Sequence, residues 1–450
     1  MKKPISWALA IFFAANAAYA QTAADWITSG NTKADNGRLD DAIADYTRAL
    51  ELKPDDTSAY VYRSMAKDRK GDFDGAIADS NKALEISPNA PAGYYSRGLA
   101  KHHKGDVAGA IADFDRALQI KADFTFVYDY RGRAKADKGD LPGALADFSK
   151  AIELDPAYAT AYIDRANAKG LKGDFDGAIA DATKAIELTP RDDDAYYNRA
   201  LAKRQKGDAD GAIADSTKAI ELDPENLDAY FNRAGAMADK GDFAGAVKDL
   251  TKIIELKPNL AIAYFQRGNA KQRGGDLDGA KADFTKVIAL DPKFMLAYRS
   301  RGLLNYNRQA WTEALADAQK TVELNPTYDY GRYAVWLAKA RLGQKDAATR
   351  DLRDYLAHRG KPEEWPARVG AFLAGQLPED AFLKAAANSD KTVDAEQHCE
   401  AYFYAGTKRL LDGDKATAQS YFEKCVATGL KSFSEYDCAA AELKALKAAK

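Results

Sequence analysis

Three cysteines stand near the end of the chain, Cys399, Cys425 and Cys438, with His398 beside the first of them. Thiolates and an imidazole in that number could ligate zinc. The spacing argues against it: there is no C-x-x-C pair, and the adjacent side chains of His398 and Cys399 can hardly converge on one ion. In an oxidising compartment a single disulfide is the expected outcome, with three buried thiols as the other reading. His102, His103 and His358 fall in no triad spacing and in no H-E-x-x-H helix. The many Gly-Asp and Asp-Gly pairs lack the alternating acidic ligands and closing glutamate of a calcium loop. No glycine-rich phosphate loop is present. These patterns predict no catalytic residue, no metal and no cofactor, which leaves charge and surface shape as the chemistry on offer.

The charges are patterned. Arg63, Arg97, Arg131, Arg165, Arg199, Arg233, Arg267 and Arg301 recur every 34 residues, and an aspartate follows each of them 16 residues on, from Asp79 to Asp317. The whole chain carries a net charge of −2 with the signs interspersed. Nucleic acid and anionic membrane are therefore poor partners for it.

The elements that position these charges repeat with them. The stretch 193–224, DDAYYNRALAKRQKGDADGAIADSTKAIELDP, recurs in register along the chain, its turn glycines running from Gly37 to Gly275 at 34-residue intervals. A fixed period of this length marks a stacked repeat array. Upstream of Gly207, Tyr196, Ala200 and Lys203 share one helical face. Downstream, Ala212, Ile213, Ser216, Ala219 and Ile220 do the same. Gly207 suits the left-handed end of the first helix, Asp208 the N-cap of the second, and Pro224 stops it. Each unit is thus an antiparallel helix pair folded at its glycine, so a residue n before the glycine lies level with one n after it. By this reflection Arg199 meets Asp215 and Arg233 meets Asp249, and the expectation is a structural ladder of Arg–Asp pairs; a charged binding stripe is the alternative. Reflection across Gly413 likewise favours Cys399–Cys425 as the disulfide.

The unit resembles the tetratricopeptide repeat. An aromatic residue stands eleven before the turn (Trp26, then Tyr60 to Tyr298), a small residue often stands seven before it (Gly30, Gly98, Gly132, Gly268, Gly302), and alanine stands five after it from Ala42 to Ala348. The resemblance implies an all-α, right-handed superhelical solenoid of stacked antiparallel helix pairs whose first helices line a concave face for proteins or peptides. Ten residues before the turn, that face carries Tyr95, Tyr197, Phe231, Phe265, Arg299 and Tyr333; six before it, it carries Arg133, Asn167 and Asn269. Tyr197, Phe231 and Phe265 form an aromatic run at the repeat spacing, read either as a partner groove or as packing between neighbouring first helices.

In chain order, residues 1–20 have a basic start, an apolar run from Ile5 to Ala15 and an Ala18-Tyr19-Ala20 ending. They read as a signal peptide cleaved after Ala20, which predicts a periplasmic or secreted protein with no membrane segment after cleavage. Residues 21–356 form about ten repeats, the ninth with Gln309 at the glycine site and the tenth degenerate. Residues 357–395 form an irregular helical connector. Residues 396–450 form an eleventh unit and a capping helix. The order Trp365-Pro366, EAYFYAG from Glu400, GDKATA from Gly413, Tyr421-Phe422 and Glu435-Tyr436 resembles the C-terminal part of exported bacterial repeat lipoproteins that act as adaptors of cell-wall hydrolases. That resemblance implies a non-enzymatic scaffold in cell-envelope maintenance. An enzyme or ligand-binding protein with its site in the C-terminal module is the alternative.

Overall fold

A computed structural model describes residues 21–431 and 433–448. The expected signal peptide, residues 1–20, lies outside them. The described chain is all helical, and successive helices pack in antiparallel pairs. It falls into two compact units, divided between Asn232 and Arg233.

In the first unit the pairs are regular, as in Asp193–Gln205 with Ala209–Leu222. The turn glycines adopt φ from 74° at Gly37 to 92° at Gly105, a left-handed conformation that a Cβ disfavours. The aspartate after each turn caps the next helix; Asp208 Oδ1 accepts from the Gly211 N–H at 2.9 Å. Tyr162 packs with Ala185, and Trp26 with Ala49, so a large ring eleven before the turn meets a small side chain twelve after it.

A second size match binds each hairpin. The residue seven before the turn faces the one nine after it. A Cβ added at Gly98 would lie 2.6 Å from the Phe114 ring, and one at Gly132 would lie 2.6 Å from Phe148. Where a serine replaces the glycine, the partner shrinks to serine as well: the hydroxyls of Ser64 and Ser80 are 2.7 Å apart. In these repeats backbone approach and side-chain volume are matched, which keeps the interior close-packed.

In the second unit the same pairing runs through Met295–Asn307 with Trp311–Leu324 and Asp329–Arg341 with Lys345–Arg359. Two short helices follow, Trp365–Leu373 and Glu379–Ala385, then the long Lys391–Leu411, its partner Lys415–Ala427, and Ser434–Ala448. The long helix begins five residues before residue 396, inside the stretch expected as connector. These elements fold back: Trp365–Leu373 packs on Asp329–Arg341, and Ser434–Ala448 packs on Met295–Asn307. The core they close contains Tyr333, Trp336, Phe372, Phe382, Phe403 and Phe422, with Phe372 and Phe382 stacked at 4.3 Å between ring centres.

Candidate functional site

The most repeated polar arrangement is the Arg–Asp pairing. Arg199 donates from Nε and Nη2 to the two carboxylate oxygens of Asp215 at 2.8 and 2.7 Å. Lys203, one helical turn on, reaches the same carboxylate at 2.8 Å. The remaining guanidinium nitrogen, Nη1, turns back to Thr183 Oγ1 of the preceding repeat at 3.3 Å. Arg233 holds Asp249 in the same bidentate way at 2.7 and 2.8 Å. Asp215 is 5% exposed, and a carboxylate so far from water requires a cation. The fork geometry explains why arginine occupies the site, since it satisfies both oxygens and still spans to the neighbouring hairpin. In the first repeat Ser29 stands at the arginine position and Asp45 takes Ser29 and Lys33 instead, at 2.6 and 2.5 Å. In the tenth, Val335 replaces the arginine, and Asp351 is exposed with Lys339 alone.

The residues expected on the partner face divide into accessible and engaged ones. Asn167 is exposed; Tyr197, Phe231 and Asn269 are half-buried. Tyr95 is half-buried among Phe114, Phe124 and Tyr130, with ring centres 5.6–6.3 Å away. Phe265 stands against Phe294 at 5.0 Å and Phe284 at 5.8 Å. Arg133 is not free for a partner. Its guanidinium lies 3.2 Å from Asp129 and 2.7 Å from Asp164 and sits over the Tyr130 ring. Burial pushes the Asp164 carboxyl up to about 7, against the pull of Arg133 and with the push of Asp129. No spacing rule exposes this cluster, because Asp129 and Asp164 occupy positions filled by other residue types in neighbouring repeats.

Tyr333 corrects the sequence reading outright. It is 0% exposed, its hydroxyl donates to the Pro366 carbonyl, and its ring meets Tyr330 and Tyr404 edge-on. The C-terminal helices cover the place where a partner was expected. Arg299, by contrast, is exposed and lines a cavity of about 440 Å³ within the second unit. Tyr298, Tyr328, Tyr330 and Leu337 border it from the repeats, and Glu400, Phe403, Tyr404, Glu435 and Cys438 from the C-terminal helices. Glu400 accepts from Tyr330 Oη at 3.0 Å and Trp365 Nε1 at 2.9 Å. Glu435 accepts from Tyr404 Oη at 3.2 Å and Ser434 Oγ at 2.9 Å.

Cys399 and Cys425 are brought together, buried, with their sulfur atoms 3.4 Å apart, but as free thiols rather than a disulfide; Cys438 is free and buried too. Among the described residues, no group of three or more His, Cys, Asp and Glu side chains is placed to hold a metal ion. None of the described helices is long and apolar enough to cross a membrane.

An array of antiparallel helix pairs offering side chains along its first helices is a protein-interaction scaffold, with proteins or peptides as its partners. The tetratricopeptide repeat family model matches residues 27–91, 82–123, 163–220, 197–261 and 265–329, and a second TPR repeat model matches 132–173. The chain belongs to the tetratricopeptide repeat family. No curated protein matches it in sequence. Solved structures similar to it include a tetratricopeptide repeat protein from Parabacteroides merdae (18% identity, 55% of this chain and 98% of that one, TM-score 0.44). Another is PilW, a type IV pilus biogenesis factor (20% identity, 45% and 94%, TM-score 0.42). A third is YrrB, a TPR protein with an unusual peptide-binding site (23% identity, 42% and 97%, TM-score 0.36).

Proposed function

We propose that this protein is an exported, non-enzymatic adaptor that holds envelope or periplasmic proteins on the first-helix face of its repeats. The observation that carries the reading is the pair Tyr197 and Phe231, equivalent positions of consecutive repeats whose rings remain half-exposed. Large rings left partly in water on a face otherwise built for packing favour a partner that covers them. The basic and apolar character of residues 1–20 supports export, and the C-terminal resemblance supports work at the cell wall.

Because apolar burial dominates, partner binding should weaken little between low and high salt. Replacing Tyr197, Phe231 and Phe265 together by alanine should leave helicity intact and abolish partners recovered from an envelope fraction by affinity purification. Retention of every partner would place the partner surface elsewhere. Fractionation of the full chain should recover a periplasmic protein that begins at Gln21; a cytosolic chain still carrying residues 1–20 would overturn the export reading.

A further inference from the structure

The cavity beneath the C-terminal helices holds two carboxylates in an arrangement found nowhere along the Arg–Asp series. Glu400 is 7% exposed and Glu435 8%, as buried as the aspartates of the repeats. In this same unit Asp283 has Arg267 and Lys271, Asp317 has Arg301, and Glu442 has Arg341. Glu400 and Glu435 form no ion pair among the described residues; phenols, an indole and a hydroxyl are their donors. A buried carboxylate without a cation is unfavourable, and two facing one cavity are more so. Burial first, and Glu435 next, push Glu400 up to about 8, so a proton stands in for the missing positive charge. Arg299 is the cation on the lining, but it is exposed to water and pairs with neither glutamate.

The space is the right size for a ligand. At about 440 Å³ it falls in the range of small-molecule sites, roughly 300–1,000 Å³. Seven of its twenty lining residues are aromatic, and ring faces attract ammonium ions. We propose that this cavity binds a small organic ammonium compound, the cationic head against Glu400 and Glu435 and an apolar body against Leu303, Tyr328 and Phe403. The site is independent of the adaptor reading, since it uses none of Tyr197, Phe231 or Phe265.

The test uses the full mature chain and two probes of one shape, 2-phenylethylamine and the neutral 2-phenylethanol, titrated by calorimetry at about pH 8.5, where Glu400 is ionised and the amine still carries its proton. The amine should bind at least tenfold more tightly. Glu400→Gln and Glu435→Gln should each weaken the amine by about tenfold, the scale of one charged contact, and leave the alcohol unchanged. Leu303→Trp, which fills the space without touching the carboxylates, should abolish both. Circular dichroism checks that each variant folds, and the wild-type comparison of amine with alcohol stands even if one does not. Equal binding of the two probes, no binding of the amine at millimolar concentration, or indifference to both glutamate changes would overturn the proposal. So would tighter binding of the tripeptide Phe-Gly-Gly than of the amine, which would assign the site to a polypeptide N-terminus.

Discussion

Two kinds of buried carboxylate divide this protein. From the second repeat to the ninth, each aspartate eight residues after the turn is gripped by a bidentate arginine, in most repeats with a lysine as well, as in the Asp215–Arg199–Lys203 triplet. In the C-terminal region Glu400 and Glu435 are buried to the same degree and have neutral donors only. The first arrangement is complete: every oxygen is taken by the chain itself, and its guanidinium also ties one hairpin to the last. The second also has its oxygens hydrogen-bonded by the chain, but it has no counter-charge among the described residues and opens onto a cavity. Burial alone therefore does not tell a structural charge from a functional one; the presence or absence of an internal counter-charge does.

The comparison is broken most sharply by removing a counter-charge. Arg199→Ala strands Asp215, with Lys203 left as its sole cation, and should lower stability by about 3 kcal/mol, at the low end for breaking a buried ion pair. Urea unfolding measures it, and adding Asp215→Ala should recover much of the loss. An unchanged unfolding curve with lost partner binding would turn the ladder into a binding stripe.

The complementary change, Glu400→Gln, should act in the opposite direction and depend on pH. The carboxyl titrates near 4.5 when free and at about 8 in the fold, so the folded state holds its proton more tightly. Its contribution to stability is complete below about pH 4.5 and is lost as the pH rises towards 8. Glutamine keeps an oxygen for Tyr330 and Trp365 and has no proton to lose. The melting temperature of the variant should match wild type near pH 4 and exceed it at pH 8, and a constant difference across that range would show that Glu400 does not titrate in this way.

The smallest effect lies where the array loses regularity. Gln309 occupies the turn position of the ninth repeat with φ of 61°, the conformation glycine adopts in the repeats before it. Gln309→Gly should stabilise the protein by about 1 kcal/mol by relieving a left-handed side chain, read as a modest rise in melting temperature with the cavity's amine affinity unchanged. A loss of stability would mean that the glutamine side chain has a role of its own.

What the sequence settled is what lies within one repeat. The turn glycine, its capping aspartate and the 16-residue step from arginine to aspartate are local, so reflection across Gly207 is enough to join Arg199 to Asp215. The match of Gly98 to Phe114 keeps the 16-residue step of Arg97 to Asp113, one position further along each helix, and the sizes of the paired residues were its signal. Cys399 and Cys425, fourteen before and twelve after Gly413, are close to level by reflection, and their sulfurs do meet, though without the bond. Tertiary structure alone decided the rest. Tyr330 meets Glu400 across 70 residues and Arg341 meets Glu442 across 101, distances at which no periodicity of the chain fixes a partner. The return of the C-terminal helices onto the ninth and tenth repeats buried Tyr333 and enclosed the space that Glu400 and Glu435 face. It did so because packing those helices on the ninth and tenth repeats removes the apolar faces of both from water in one shared core.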